Sequence, residues 1–208
     1  MLNETISKSN FIIQRVDNDA EGDRYYKGIP VDERGDIIEG PPLWTRPSYT
    51  TVIDAVYPMD SYLIRWIREN GDAGYAQYIK AAESGTKVHI AISEMLLGRG
   101  APSEGMELKE KRCIQAFLDW YAEFKPEIIE TEGMVTDPVL GMAGTRDLKC
   151  RLNYTKGKKS YVGVYIIDFK TSSQVNDKHR IQNAGYWSCE PDRDNIKTAI
   201  LHLGNKTE

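Results

Sequence analysis

The sequence predicts a mixed α/β (α+β) protein. Three observations predict it: amphipathic helical spacing through residues 58–125, a change to strand-like alternation through 127–170, and a return to helix and then strand between 177 and 203. Helices, three strands, a helix and a strand imply a mixed central sheet flanked by helices. With 208 residues, 40% of them hydrophobic, the chain suits a single domain with a sizeable core. Residues 1–57 are expected as an N-terminal strand/loop segment packed on that core, and 58–208 as the core itself.

Within the N-terminal segment, short strands are expected around Phe11–Arg15 and Arg24–Lys27. GPPLWTRPS (40–48) reads as a stiff connector, because each proline fixes φ and disfavours helix before it. From Pro58 the pattern turns helical: Asp60 or Ser61 caps it, Leu63, Trp66 and Ile67 share a face, and Gly71 ends it. A second helical stretch runs from about Ala73 to a C-cap at Gly98, followed by a loop over 98–105. Leu108 to Lys125 is a strong amphipathic helix with Ile114, Phe117, Leu118 and Tyr121 inward, stopped by Pro126.

Strands are then expected at 127–135, 143–155 and 161–170, with turns at Asp137-Pro138 and at 156–159, which suggests an antiparallel meander. Asp177 to Cys189 returns to helical spacing, and Thr198–Leu203 is a last apolar strand.

The bulk numbers exclude several classes. No run approaches the ~18 apolar residues of a membrane span, and MLNETISKSN lacks the apolar core of a signal peptide. Asn3, Asn153 and Asn205 each head an N-x-T triplet, which without a secretion signal is chance. Cys113, Cys150 and Cys189 form neither a disulfide framework nor a CxxC knuckle, so a reducing intracellular (cytoplasmic) compartment is the simplest expectation. The net charge of −4 does not announce a nucleic-acid binder. Its distribution says more: residues 141–182 hold nine bases against three acids, a net +6, which leaves −10 elsewhere. Such asymmetry can mark a phosphate-facing surface or merely a solvated hairpin.

YVGVYIIDFKTS (161–172) is the most informative segment. It is apolar on both faces through Ile167, as a central strand is, and then sends Asp168 and Lys170 out on one face. Charge at the edge of a core is costly unless the groups are paired or bind something. GMAGTRDLKC (141–150) brings a second acid, Asp147, on the neighbouring strand behind Gly141 and Gly144. Two hairpin-paired strands can bring Asp147 and Asp168 together, and a hard cation between them removes the like-charge penalty.

Glu130 and Glu132 share a face of the strand before, where one can join the cluster or both can be solvated. His89 lies in a helix among Val88, Ile90, Ile92, Met95 and Leu96, as a boundary residue or as the one imidazole of an oxygen-rich Mg²⁺ or Mn²⁺ site. Gln182 and Tyr186, four apart, share a helical face on which they hold a phosphate or a water, or simply meet solvent. GKKS (157–160) is a decoy: the upstream glycine position of a P-loop holds Leu152. GRGAPSEG has the wrong spacing for a dinucleotide fingerprint, and no nucleophile elbow or catalytic triad signature appears.

Taken in order, these pieces resemble the PD-(D/E)XK nuclease superfamily, specifically its RecB-like branch. That branch shows G-x-x-x-H on a helix, then E on a strand, G-x-x-D, D-x-K and Q-x-x-x-Y. Here they read Gly85-Thr-Lys-Val-His89, Glu132, Gly144-Thr-Arg-Asp147, Asp168-Phe-Lys170 and Gln182-Asn-Ala-Gly-Tyr186. RPSYTTVIDAV (46–56) is similar to a segment ahead of the core in phage-type exonucleases of this group.

The resemblance implies a restriction-endonuclease-like core and metal-assisted phosphodiester hydrolysis by a DNA exonuclease of repair, recombination or phage DNA metabolism. It implies that His89, Asp147, Asp168 and the main-chain carbonyl of Phe169 bind Mg²⁺ or Mn²⁺. Lys170 then positions the attacking water and offsets phosphate charge, Gln182 and Tyr186 complete the site, and Glu132 fits the acidic position better than Glu130. Iron–sulfur members carry four cysteines, which three scattered ones do not supply, so no cluster is expected. Relatives often continue beyond a strand such as TAILHLGN (198–205), so the chain reads as a minimal or a shortened member.

The expected partners are DNA, as single strands or duplex ends held by the bases at 146–159 and 178–180, and a helicase or recombination protein. Trp44 and Tyr49 are candidates for stacking on an unpaired base, or for core packing. Two alternatives stay open: a structure-specific endonuclease on the same core, and a non-catalytic DNA-binding module or accessory subunit.

Overall fold

A computed structural model describes residues 11–18, 23–57, 59–100 and 104–204. Pro58, Asn3, Asn205 and residues 101–103 of the expected loop lie outside the described residues. The chain divides into two compact units, one of residues up to Val56 with Met134–Gly144, the other of Tyr57–Gly133 with Thr145 onward.

In the first unit, β1 (Phe11–Asn18), β2 (Asp23–Pro30) and β3 (Trp44–Pro47) form an antiparallel sheet in that order. The first two strands fall where alternation placed them. The Pro-rich stretch does not stay a connector: Trp44 to Pro47 pairs with β2 as an edge strand, a position where proline's missing N–H does no harm. Trp44 packs its indole edge-on to Phe11 at 5.4 Å and under the Arg46 guanidinium at 4.4 Å.

A helix, α1 (Tyr49–Val56), follows where only strand and loop are expected. Ser48 caps it, accepting from the Thr51 N–H at 2.9 Å, and Tyr49 and Ile53 face inward. Tyr49 is 3% exposed. It is therefore a core residue, closed to stacking on a base.

In the second unit, α2 (Ser61–Leu96) starts on Asp60, whose carboxylate accepts from the Tyr62 and Leu63 N–H groups at 2.9 and 3.2 Å. Gly71, at φ 56° and ψ −140°, interrupts it where the sequence places a helix end. The C-terminus closes with Arg99 N–H on the Glu94 carbonyl and Gly98 N–H on the Met95 carbonyl, the paired bonds of a Schellman cap.

α3 (Leu108–Phe124) ends on left-handed Lys125 before Pro126. Its inward line is Glu110, Cys113 and Phe117, spaced three and four apart, with Ile114 half-buried beside them. Leu118 and Tyr121, expected inward, are 40% and 37% exposed, because that narrow line already fills the contact.

β4 (Glu127–Asp137), β5 (Met142–Lys156), β6 (Lys159–Lys170) and β7 (Ile196–His202) form a four-stranded sheet in sequence order. β5 and β6 pair antiparallel, whereas β7 runs parallel to β6 after a crossover through α4 (Asp177–Ser188), so the sheet is mixed. One face sends Leu148, Cys150, Leu152, Tyr165, Ile167 and Phe169 against Val88 and Ile92 of α2 and Cys113 and Phe117 of α3. α4 packs on β6 and β7 and buries Asn183 and Tyr186. The fold is thus α+β with helices and a mixed sheet. Among the described residues no helix is long and apolar enough to cross a membrane. Cys113 and Cys150 are buried thiols and Cys189 a half-buried one.

Candidate active site

The candidate residues meet where β5 and β6 lie side by side. Leu148 pairs with Ile167, so Asp147 and Asp168 flank one cross-strand pair. Both carboxylates are withdrawn from water, at 9% and 2% exposure. Asp147 is held on three sides. Its Oδ1 lies 3.0 Å from His89 Nδ1 on α2, its Oδ2 accepts the Phe169 N–H at 2.6 Å, and its carbonyl accepts from Thr131 Oγ1 at 3.1 Å.

Asp168 Oδ2 forms an ion pair with Lys170 Nζ at 2.8 Å, and the Asp168 side chain has no other partner among the described residues. Lys170 Nζ also donates to Gln182 Oε1 at 2.9 Å, and Gln182 Nε2 donates to the Tyr186 hydroxyl at 2.8 Å. Residues 58 positions apart, His89 and Asp147, and residues 12 apart, Lys170 and Gln182, therefore come into direct contact.

The local sequence explains the placement. Alternation along β6 puts Asp168 and Lys170 on one face, and the four-residue step from Gln182 to Tyr186 puts both on one face of α4. Gly85 stands one turn before His89, where a Cβ would come 3.0 Å from Thr171 Oγ1, just past Lys170. Phe169 anchors the strand end from the other face, edge-on to Phe117 at 5.5 Å and to His89 at 6.0 Å.

Burial pushes the Asp168 carboxyl up to about 6, with Asp147 adding to the rise and Lys170 opposing it. Burial acts on Asp147 in the same sense, but His89, Lys170 and the Phe169 N–H overcome it and hold its carboxyl below the usual range. Burial opposes charge on His89 too, and Asp147 overcomes it and raises the imidazole.

The donor set suits a hard divalent cation. Asp168 is a buried carboxylate with lone pairs to spare, Asp147 stands beside it, and one imidazole completes an oxygen-rich set. With Nδ1 of His89 on Asp147, Nε2 is the nitrogen left for a ligand. Among the described residues no group of three His, Cys, Asp or Glu side chains is placed to hold a metal ion.

The two acids of β4 part company. Glu130 pairs with Arg146, its Oε2 accepting from the Arg146 Nε at 3.1 Å. Glu132 is half-buried at a left-handed backbone position, φ 52°. That conformation is uncommon for a residue with a side chain and concentrates at functional sites and turns.

Most of the basic stretch does not stand free as phosphate-facing charge. Arg146 is buried and ion-paired to Glu130 and to Glu190, and Glu190 also takes Lys149 Nζ at 2.7 Å. Arg151, Lys156 and Arg180 pair with Glu127, Glu123 and Asp177. The exposed pairs are worth at most about 1 kcal/mol and yield easily to a phosphate, whereas the buried set does not. Arg146 and Lys149 are therefore structural. Glu190 gives no signal in sequence, since its partners lie 44 and 41 residues upstream. Arg146→Ala is expected to cost about 3–5 kcal/mol by leaving Glu190 buried without its guanidinium, and urea unfolding of the variant measures it.

No protein-family model matches the chain, and no curated protein matches it. The likeness to nucleases rests on the five motifs of the sequence.

Proposed function

We propose that this protein is a divalent-metal-dependent deoxyribonuclease of the PD-(D/E)XK superfamily, in its RecB-like branch, on a restriction-endonuclease-like core. It acts inside the cell as an exonuclease of DNA repair, recombination or phage DNA metabolism, alone or beside a helicase or recombination protein. One observation carries the reading. Residues from four motifs that lie far apart in sequence form two adjoining sets. His89 is hydrogen-bonded with Asp147, and Asp168 is ion-paired with Lys170, which is bonded to Gln182 and through it to Tyr186. The Phe169 N–H on Asp147 ties the two strands together.

Each side chain has a task in that reaction. His89, Asp147, Asp168 and the carbonyl of Phe169 would hold Mg²⁺ or Mn²⁺, which supplies Lewis-acid polarisation and charge neutralisation at the phosphoryl group. Lys170 has three ammonium hydrogens, of which Asp168 and Gln182 take two, and the third is left for the attacking water or a phosphoryl oxygen. Gln182, itself steadied by Tyr186, keeps that ammonium from swinging. Glu132 fills the acidic position on β4.

End-labelled linear DNA and a covalently closed circle test the exonuclease assignment. Mg²⁺-dependent loss of the linear DNA with the circle intact is expected. Cutting of the circle moves the protein to the structure-specific endonucleases, and binding without cleavage of either moves it to the accessory DNA-binding modules.

A further inference from the structure

We propose that the tip of the β5–β6 hairpin, with Lys156, Lys158 and Lys159, holds the backbone of duplex DNA about one helical turn away from the cut. The proposal rests on the nuclease reading above and adds a surface to it. From Leu148 to Ile167 the hairpin carries five bases and no acid, in a chain of net charge −4. Lys149 is taken by Glu190 inside the fold, and Arg151 pairs with the exposed Glu127 at 3.5 Å. The other three bases crowd the turn, all of them exposed.

Solvation alone does not call for a turn built this way. Lys156 and Lys159 stand directly opposite each other across the two strands, and like charges so placed repel. Gly157, at φ 61°, turns the chain between them beside Lys158. One acid answers three ammonium groups. Glu123 of α3 takes Lys156 Nζ at 3.0 Å, and Lys158 and Lys159 have no acidic partner among the described residues. A polyanion laid across the turn offsets the charge that the fold leaves uncompensated.

The tip is also stiff. Phe124, at the end of α3, stacks on Tyr154 at 4.1 Å and meets Tyr161 edge-on at 5.6 Å. Glu123 accepts from the Tyr154 hydroxyl, and the Thr155 and Ser160 hydroxyls join across the strands at 3.1 Å. The lysines are therefore held at a fixed distance from the site. Lys156 is nine residues beyond Asp147 on the same strand, about 30 Å at the rise of a β-strand. At about 3.4 Å per base pair, that span is roughly nine base pairs. A duplex is straight over such a length, so its phosphates keep the spacing, whereas a single strand does not.

The test compares duplexes of six and of sixteen base pairs, each closed at one end by a hexaethylene glycol linker so that a single open end remains. Both proteins carry Asp168→Asn, so that the DNA stays whole, and one also carries Lys158→Gln and Lys159→Gln. Fluorescence anisotropy titrations give the dissociation constants over a range of salt. On sixteen base pairs the lysine variant is expected to bind about tenfold more weakly, with a salt slope lower by about two. On six base pairs, which end short of the tip, the two proteins are expected to bind alike. Lys158→Arg with Lys159→Arg is expected to keep the affinity for the longer duplex, because a phosphate contact reads charge and position.

Equal affinities for the longer duplex overturn the proposal. So does an equal loss on both lengths, which places the lysines at the open end rather than a turn away. Failure of the nuclease reading is seen separately, in the cleavage assays. A protein that cuts no DNA but shows the length-dependent loss keeps the surface, and one that cuts DNA without it loses the surface alone.

Discussion

Replacing Asp168 by Asn is expected to abolish metal-dependent cleavage and, in the same protein, to raise the melting temperature near pH 8. Both effects come from one buried carboxylate. At 2% exposure, with only Lys170 for a side-chain partner, the Asp168 charge is held against its solvation. Its carboxyl is raised to about 6 in the folded state, from 3.8. The native state therefore binds this proton more tightly than the unfolded chain does.

The stability from that difference is fully present below pH 3.8 and is lost as pH rises through about 6. Asn is neutral throughout, so the variant escapes the loss. Its advantage is expected to grow from near zero at pH 4 to at most about 3 kcal/mol at pH 8, in metal-free buffer. Thermal melts of the two proteins across that range measure it. A variant less stable than wild type at pH 8 contradicts the electrostatics assigned to Asp168. A stabilising substitution that destroys activity is what a site maintained for function, at the expense of stability, produces.

Lys170→Ala is expected to lower cleavage by at least about 10²–10³-fold, the loss typical of removing one preorganised charge-stabilising donor. Its effect on stability has the opposite sign to that of Asp168→Asn. Without the ammonium, Asp168 is a buried carboxylate beside Asp147 with His89 as its remaining positive neighbour, and breaking such a pair costs about 3–5 kcal/mol. The double variant Asp168→Asn with Lys170→Ala separates the two contributions. It is expected to recover most of the lost stability and none of the cleavage. Recovery of cleavage in the double variant removes Lys170 from the reaction.

Much of this site is legible in the sequence, and the reason is local geometry. Asp168 and Lys170 share a face because strand side chains alternate, and Gln182 and Tyr186 share one because helices repeat nearly every four residues. The hairpin between β5 and β6 then brings Asp147 alongside, as the short turn at 156–159 requires. The meeting of His89 with Asp147 follows from no periodicity, and only the order of the motifs suggested it.

Other features escape for physical reasons. α1 escapes because Pro47 and two consecutive threonines, Thr50 and Thr51, conceal a helix whose real signal is the Ser48 cap. β3 escapes because its one proline, Pro47, suits an edge strand as well as a connector. The bases at 146 and 149 look free in sequence because their acid, Glu190, stands at the far end of α4. A count of charges along the chain records sign but not distance, and distance decides whether a charge faces DNA or an internal partner.

One measurement tests the central claim most directly: digestion of end-labelled single- and double-stranded DNA with Mg²⁺, with Mn²⁺ or with EDTA, running wild type beside Asp168→Asn. Cleavage by the wild type that requires the metal, is absent in EDTA and is absent in a folded Asp168→Asn variant is the predicted result. Cleavage by the variant at the wild-type rate, or metal-independent cleavage by either protein, contradicts it.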